Sequence, residues 1–94
     1  MIYDAFDLVA VPFPFVDKQT RKRRPALVLS SNEFNRNHDQ LMLAMITTAK
    51  AGAWVSDVEI TQWRAAGLIT PCRVRFKLFT LESVRVLRSI GHLV

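Results

Sequence analysis

Arg23-Arg24-Pro25-Ala26-Leu27-Val28-Leu29-Ser30 decides the fold, because in it a cationic loop passes without a linker into a buried apolar run. Pro25 keeps Arg24 out of the helical region, so the apolar run reads as a strand. Lys18, Arg21, Lys22, Arg23 and Arg24 stand just ahead of that run. A basic group is thereby held on the rim of a packed element. A charge run taken alone is more often a solvated loop than a binding site, so the rest of the chain must weigh in.

On the N-terminal side, Phe6 to Pro12 is apolar at nearly every position, as in a strand covered on both faces. Pro12 and Pro14 cannot donate to a ladder, so that strand should end there or lie at an edge. The segment from Phe15 to Arg24 then reads as a loop, and Ala26 to Ser30 as the second strand of a long-looped hairpin. On the C-terminal side, Ser31-Asn32-Glu33 offers cap-type residues for a short helical turn, while Asn35 to Asp39 reads as exposed loop with a surface His38. Leu41 to Thr48 is predicted as a strand.

Further along, Trp54 to Ile60 reads as a half-buried strand, with Val58 and Ile60 on one face and Asp57 and Glu59 on the other. Thr61 can cap a helical turn over 62–66 that Gly67 ends. The clearest alternation follows. Cys72, Val74, Phe76 and Leu78 should form a buried row, and Arg73, Arg75 and Lys77 a cationic row on the opposite face. Thr80 to Ser83 reads as a turn and Val84 to Ile90 as a last strand. The fold class is mostly β with one or two short helical turns, a small twisted sheet or half-open barrel.

The 94 residues suit a single domain over 1–94, and a formal charge of +5 with a pI near 10.2 favours a polyanionic partner. Cys72 is the only cysteine, so no internal disulfide can form. His, Cys, Asp and Glu show no metal-ligand spacing, so no metal and no cofactor are expected. No apolar run is long enough to span a bilayer and no leader pattern opens the chain, which points to a cytoplasmic protein without membrane contact.

Asp7-Leu8-Val9-Ala10-Val11-Pro12-Phe13-Pro14-Phe15, the Arg23–Ser30 stretch, Ile46-Thr47-Thr48, and Arg75 to Leu81 with Val86 to Gly91 together resemble the MazF/PemK toxins of bacterial toxin–antitoxin pairs. The resemblance implies an SH3-like barrel of CcdB/PemK type and a homodimer. It further implies a metal-independent endoribonuclease that cuts single-stranded RNA, including mRNA, and is silenced by a cognate antitoxin. It assigns Arg24 and Thr47 to the scissile phosphate as catalytic residues. Arg21, Lys22, Arg23, Thr48, Arg73, Arg75 and Lys77 complete the expected substrate-binding set.

Two departures stand out: Lys77 occupies the place of an acid found in some relatives, and the sequence stops at Val94 where the family continues into a C-terminal helix. A CcdB-like toxin that binds DNA gyrase without cutting nucleic acid, and a degenerate member that only binds RNA or antitoxin, are the rival readings.

Cleaving RNA without a metal needs the 2′-hydroxyl aligned with the leaving 5′-oxygen, and donors that stabilise charge on the phosphoryl oxygens. A guanidinium grips phosphate at two points, which a lysine cannot copy, and its high pKa suits electrostatic stabilisation better than proton transfer. Thr47 would add a hydroxyl hydrogen bond. Trp54, Trp63 and Phe79 could stack on splayed bases, although aromatics in so small a chain usually belong to the core. Cys72 should be buried and inert, and His92 structural.

Overall fold

A computed structural model of the chain describes residues 2–13, 22–50 and 52–93. Six antiparallel strands form one curled sheet, a half-barrel. They are β1 (Asp7–Phe13), β2 (Lys22–Val28), β3 (Gln40–Thr48), β4 (Val58–Glu59), β5 (Cys72–Glu82) and β6 (Arg88–His92), in the spatial order β4-β5-β3-β2-β1-β6. One helix, α1 (Asn32–His38), links β2 to β3, and a 3₁₀ turn over Ser83–Arg85 precedes β6. No helix among the described residues is long and apolar enough to cross a membrane.

The near-continuous apolar run of β1 is explained by cover on both faces. Val9 and Val11 enter one core with Tyr3, Ala26, Val28, Leu41, Leu43 and Leu81, while Leu8 enters another with Leu27, Ala44, Ile46, Cys72 and Val74. Alternation along each strand sends neighbours to opposite faces, and burial of each large aliphatic contributes roughly 1.5–3 kcal/mol. Pro12 extends β1 past the β6 pairing, which ends at Ala10, so its missing donor leaves that ladder intact. Pro25 likewise lies outside the β2–β3 pairing, which spans Ala26 to Val28.

Four expectations are corrected. Lys22, Arg23 and Arg24 belong to β2 rather than to the loop before it, because β1 runs on to Phe13 and pairs with all three. Residues 35–38 are helix rather than loop. The Asn35 amide is buried and donates to the carbonyls of Tyr3 and Ser30, and Ser31 caps the helix by accepting from the Phe34 amide. Trp54 to Ile60 shrinks to the two residues of β4, since the Asp57 carboxylate turns back on the Trp54 amide at 2.9 Å and closes a turn there. Finally, residues 80–82 continue β5 against Met42 to Gln40, and β6 begins only at Arg88.

The alternating row of β5 is half buried. Cys72 and Val74 are core, but Phe76 and Leu78 are 58% and 53% exposed. Between Ala44↔Leu78 and Met45↔Arg75 the register steps by two residues, so Phe76 and Lys77 stand opposite no residue of β3. The expected helical turn near Thr61 is a turn over 61–67, closed by Gly67 at φ 98°. There Gly67 and Gly91 let two backbones touch: a Cβ on Gly91 would strike the Ala66 carbonyl, and one on Gly67 would lie 2.5 Å from the Ile90 carbonyl oxygen.

Candidate nucleic-acid interface

The site follows from strand register. Ala26 pairs with Met45 and Met45 with Arg75, so these three form one row across β2, β3 and β5. Beyond this row β2 continues to Arg24 and β3 to Thr47. The β2–β3 pairing ends at Ala26, and its register carried on by two residues would set Arg24 across from Thr47, which itself pairs with Arg73. Residues directly across an antiparallel pair share a face. Thr47 and Arg73 thus form a pair one step past the Ala26–Met45–Arg75 row, and alternation along β2 puts Arg24 on the same face as Ala26. Arg24 is exposed and Thr47 and Arg73 are half-buried.

Alternation sends Arg23 and Thr48 to the other face. A cleft of about 280 Å³ is lined there by Arg23 and Arg88 over Ala10, Leu68 and Ile90, and Arg24 reaches its wall. Lys22 and Lys77 are exposed, the latter within the register step. Arg21 lies outside the described residues. The expected binding set is thus divided between two faces of one sheet end, with Arg24 bordering both.

Arg75 is held within the chain. Its Nε donates to Asp57 Oδ1 at 3.2 Å and its Nη2 to Asp57 Oδ2 at 2.9 Å, and Nη2 also donates to the Gly52 carbonyl at 2.5 Å. The two side chains are only 12% and 4% exposed. Hydrogen bonding from Arg75 holds the Asp57 carboxyl below its ordinary range despite burial, which pulls the other way, and the Trp54 amide adds to the effect. In turn Asp57 raises the already high Arg75 pKa. Arg73 lies 3.7 Å from Glu59, its partner on β4. Burial raises the pKa of the Cys72 thiol.

Sequence reasoning missed Asp57 and Arg88. The signal for Asp57 was its position three residues after Trp54, the spacing at which an acidic side chain reaches back to accept from a backbone amide, as in a capping box. Trp54 was expected in the core with the other aromatics. Trp63 and Phe79 do pack against the two cores, but Trp54 does not, and the Arg75 guanidinium lies 4.6 Å from its ring centroid.

The model of the PemK-like, MazF-like toxins of type II toxin–antitoxin systems matches residues 4–94. The chain belongs to this family. Among solved structures, a chain of the Deinococcus radiodurans MazE–MazF crystal structure is 22% identical with a TM-score of 0.78, covering 100% of this chain and 83% of that one. A crystal of Deinococcus radiodurans MazF by itself gives 23% and 0.75, covering 100% and 84%. The Mycobacterium tuberculosis toxin MazF-mt6 gives 24% and 0.70, covering 94% and 80%. At such identities the likeness establishes the MazF fold, while membership rests on the family model. No curated protein matches the sequence. Asp57 brings a carboxylate to Arg75 from the loop before β4.

Proposed function

We propose that this toxin-family chain is an endoribonuclease that cuts single-stranded RNA, mRNA included, by attack of the 2′-hydroxyl on the adjacent phosphate, without a metal. The O2′–P bond forms and the P–O5′ bond breaks, leaving a 2′,3′-cyclic phosphate and a 5′-hydroxyl. The proton of the 2′-hydroxyl leaves to solvent, and the 5′-oxygen takes one up. Arg24 stabilises the charge that grows on the phosphoryl oxygens, the Thr47 hydroxyl donates a hydrogen bond to the same phosphate, and Arg73, Arg23, Lys22 and Lys77 hold flanking phosphates. The reading is supported by the Thr47–Arg73 pair beside the end of β2 that carries Arg24 two residues before Ala26. The purified protein incubated with a long single-stranded RNA in EDTA should yield discrete fragments with cyclic-phosphate ends. RNA left intact would overturn the reading.

The working form is a homodimer in a cytoplasmic toxin–antitoxin pair. Exposed Phe76 and Leu78 support it, as apolar surface that one copy leaves uncovered. A MazE–MazF crystal among the similar structures supports an antitoxin partner, and the basic site suits an acidic segment that orders as it binds. Sedimentation at micromolar concentration should give the mass of two chains, and an active monomer would contradict it.

A further inference from the structure

Trp54 is an aromatic side chain that neither core explains. It joins neither core, it is 46% exposed, and its neighbours Gly52 and Val55 are exposed with it. Yet it is not loosely held. Its amide donates to Asp57 Oδ2 at 2.9 Å, and one side of its ring carries the Arg75 guanidinium. That guanidinium is itself fixed by two bonds to Asp57 and one to the Gly52 carbonyl. Three groups, the Asp57 carboxylate, the Arg75 guanidinium and the Gly52 carbonyl, thus back a residue that keeps nearly half its surface in water, an arrangement that costs conformational freedom and adds little to either core.

Its position gives the arrangement a use. Arg75 is two residues from Arg73 on the same face of β5, a rise of about 7 Å along the strand, and Arg73 pairs with Thr47. The ring therefore flanks the Thr47–Arg73 pair. Cations that track phosphates beside an aromatic platform are the general means of holding single-stranded nucleic acid, because every base has a face to stack. A cation behind the ring also disfavours a second cation in front and tolerates the flat, neutral face of a base.

We infer that Trp54 is a base-stacking platform for an unpaired nucleotide next to the phosphate held at Arg24 and Thr47, with the Asp57–Arg75 pair as its support. The inference rests on the proposed RNA substrate and adds a subsite to it.

The test compares Trp54→Ala and Trp54→Phe with the wild-type protein for binding to a single-stranded RNA oligonucleotide in which one 2′-deoxy nucleotide blocks cleavage, and to the same oligonucleotide made abasic at successive positions. Trp54→Ala should weaken binding about 5- to 150-fold, the usual loss for one stacked base. Trp54→Phe should keep most of the affinity. At one abasic position the wild type should fall to the level of Trp54→Ala, which a merely structural role of the ring would not produce. Circular dichroism and melting temperature confirm that each variant is folded. Equal affinity of wild type and Trp54→Ala would overturn the inference, as would a loss that is the same with and without the base. So would a variant that binds RNA normally but no longer binds an acidic antitoxin peptide, since the ring would then be a protein-docking site. A protein that leaves RNA uncut but shows the base-dependent loss would remove the nuclease reading and keep the stacking site.

Discussion

Asp57 and Arg75 meet as carboxylate and guanidinium fork, two bonds of 2.9 and 3.2 Å between a loop and a strand that are 18 residues apart. Arg75 donates to the ionised form, so the Asp57 carboxyl sits below its ordinary value of 3.8 in the folded chain. A depressed carboxylate contributes stability that is full above the unfolded value and is lost as pH falls through the folded one. The melting-temperature gap between wild type and Asp57→Asn should therefore stay constant above about pH 5 and close below the ordinary carboxylate range. A gap that widened toward acid would have the wrong sign.

Arg24→Ala should lower single-turnover cleavage on the order of 10²–10³-fold, comparable with loss of one oxyanion-type donor, with the fold intact because the side chain is exposed. Arg24→Lys should restore little, since it keeps the charge and loses the two-point grip. Affinity for RNA should fall much less than rate, because the neighbouring cations remain and only interactions stronger in the transition state speed the step. A variant that cuts at the wild-type rate would remove Arg24 from the chemistry.

RNA affinity should fall steeply with salt, with a slope of log K on log salt of about −0.7 for each phosphate contact. Replacing Arg23 or Lys22 should reduce that slope by about one contact each, measured by filter binding across a salt series. A flat dependence would exclude the basic surface as the binding site.

Gly91→Ala should destabilise the chain by about 1–3 kcal/mol, the usual cost of forcing a methyl into closed packing, because the new Cβ meets the Ala66 carbonyl. Gly52→Ala is the control, with nothing within 4 Å of its Cβ, and should stay within about 0.5 kcal/mol. Urea melts of the two variants give the comparison.

Where local pattern and tertiary cover agree, the fold was legible. The apolar run of β1, the strand over Leu41 to Thr48 and the alternation at Cys72 to Val74 all appear as read, because burial on known faces produced the pattern. What escaped was decided by single polar side chains acting at a distance. Asn35 looks like a loop residue until its amide finds the Tyr3 carbonyl, 32 positions away. Asp57 looks like one polar position of a strand until Arg75 arrives from β5. Lys22 to Arg24 look like loop because charge marks exposure, and an exposed strand end is charged too. The residues of the candidate site were found as motifs, but bringing Arg24 beside the Thr47–Arg73 pair needed the register of three strands.

The placement of β1 bears on how the toxin comes into being. Its two neighbours are β2, close by in sequence, and β6, near the far end, and the Asp7–His92 contact spans 85 positions. Long-range pairing of this kind is slow, and it waits for both partners to exist. On a ribosome the first strand can join β2 early, yet its other edge stays open until residue 92 has left the exit tunnel. The half-barrel is then completed only after nearly all of the described chain has been synthesised, and Arg88, which lines the basic cleft, arrives with that same closing strand.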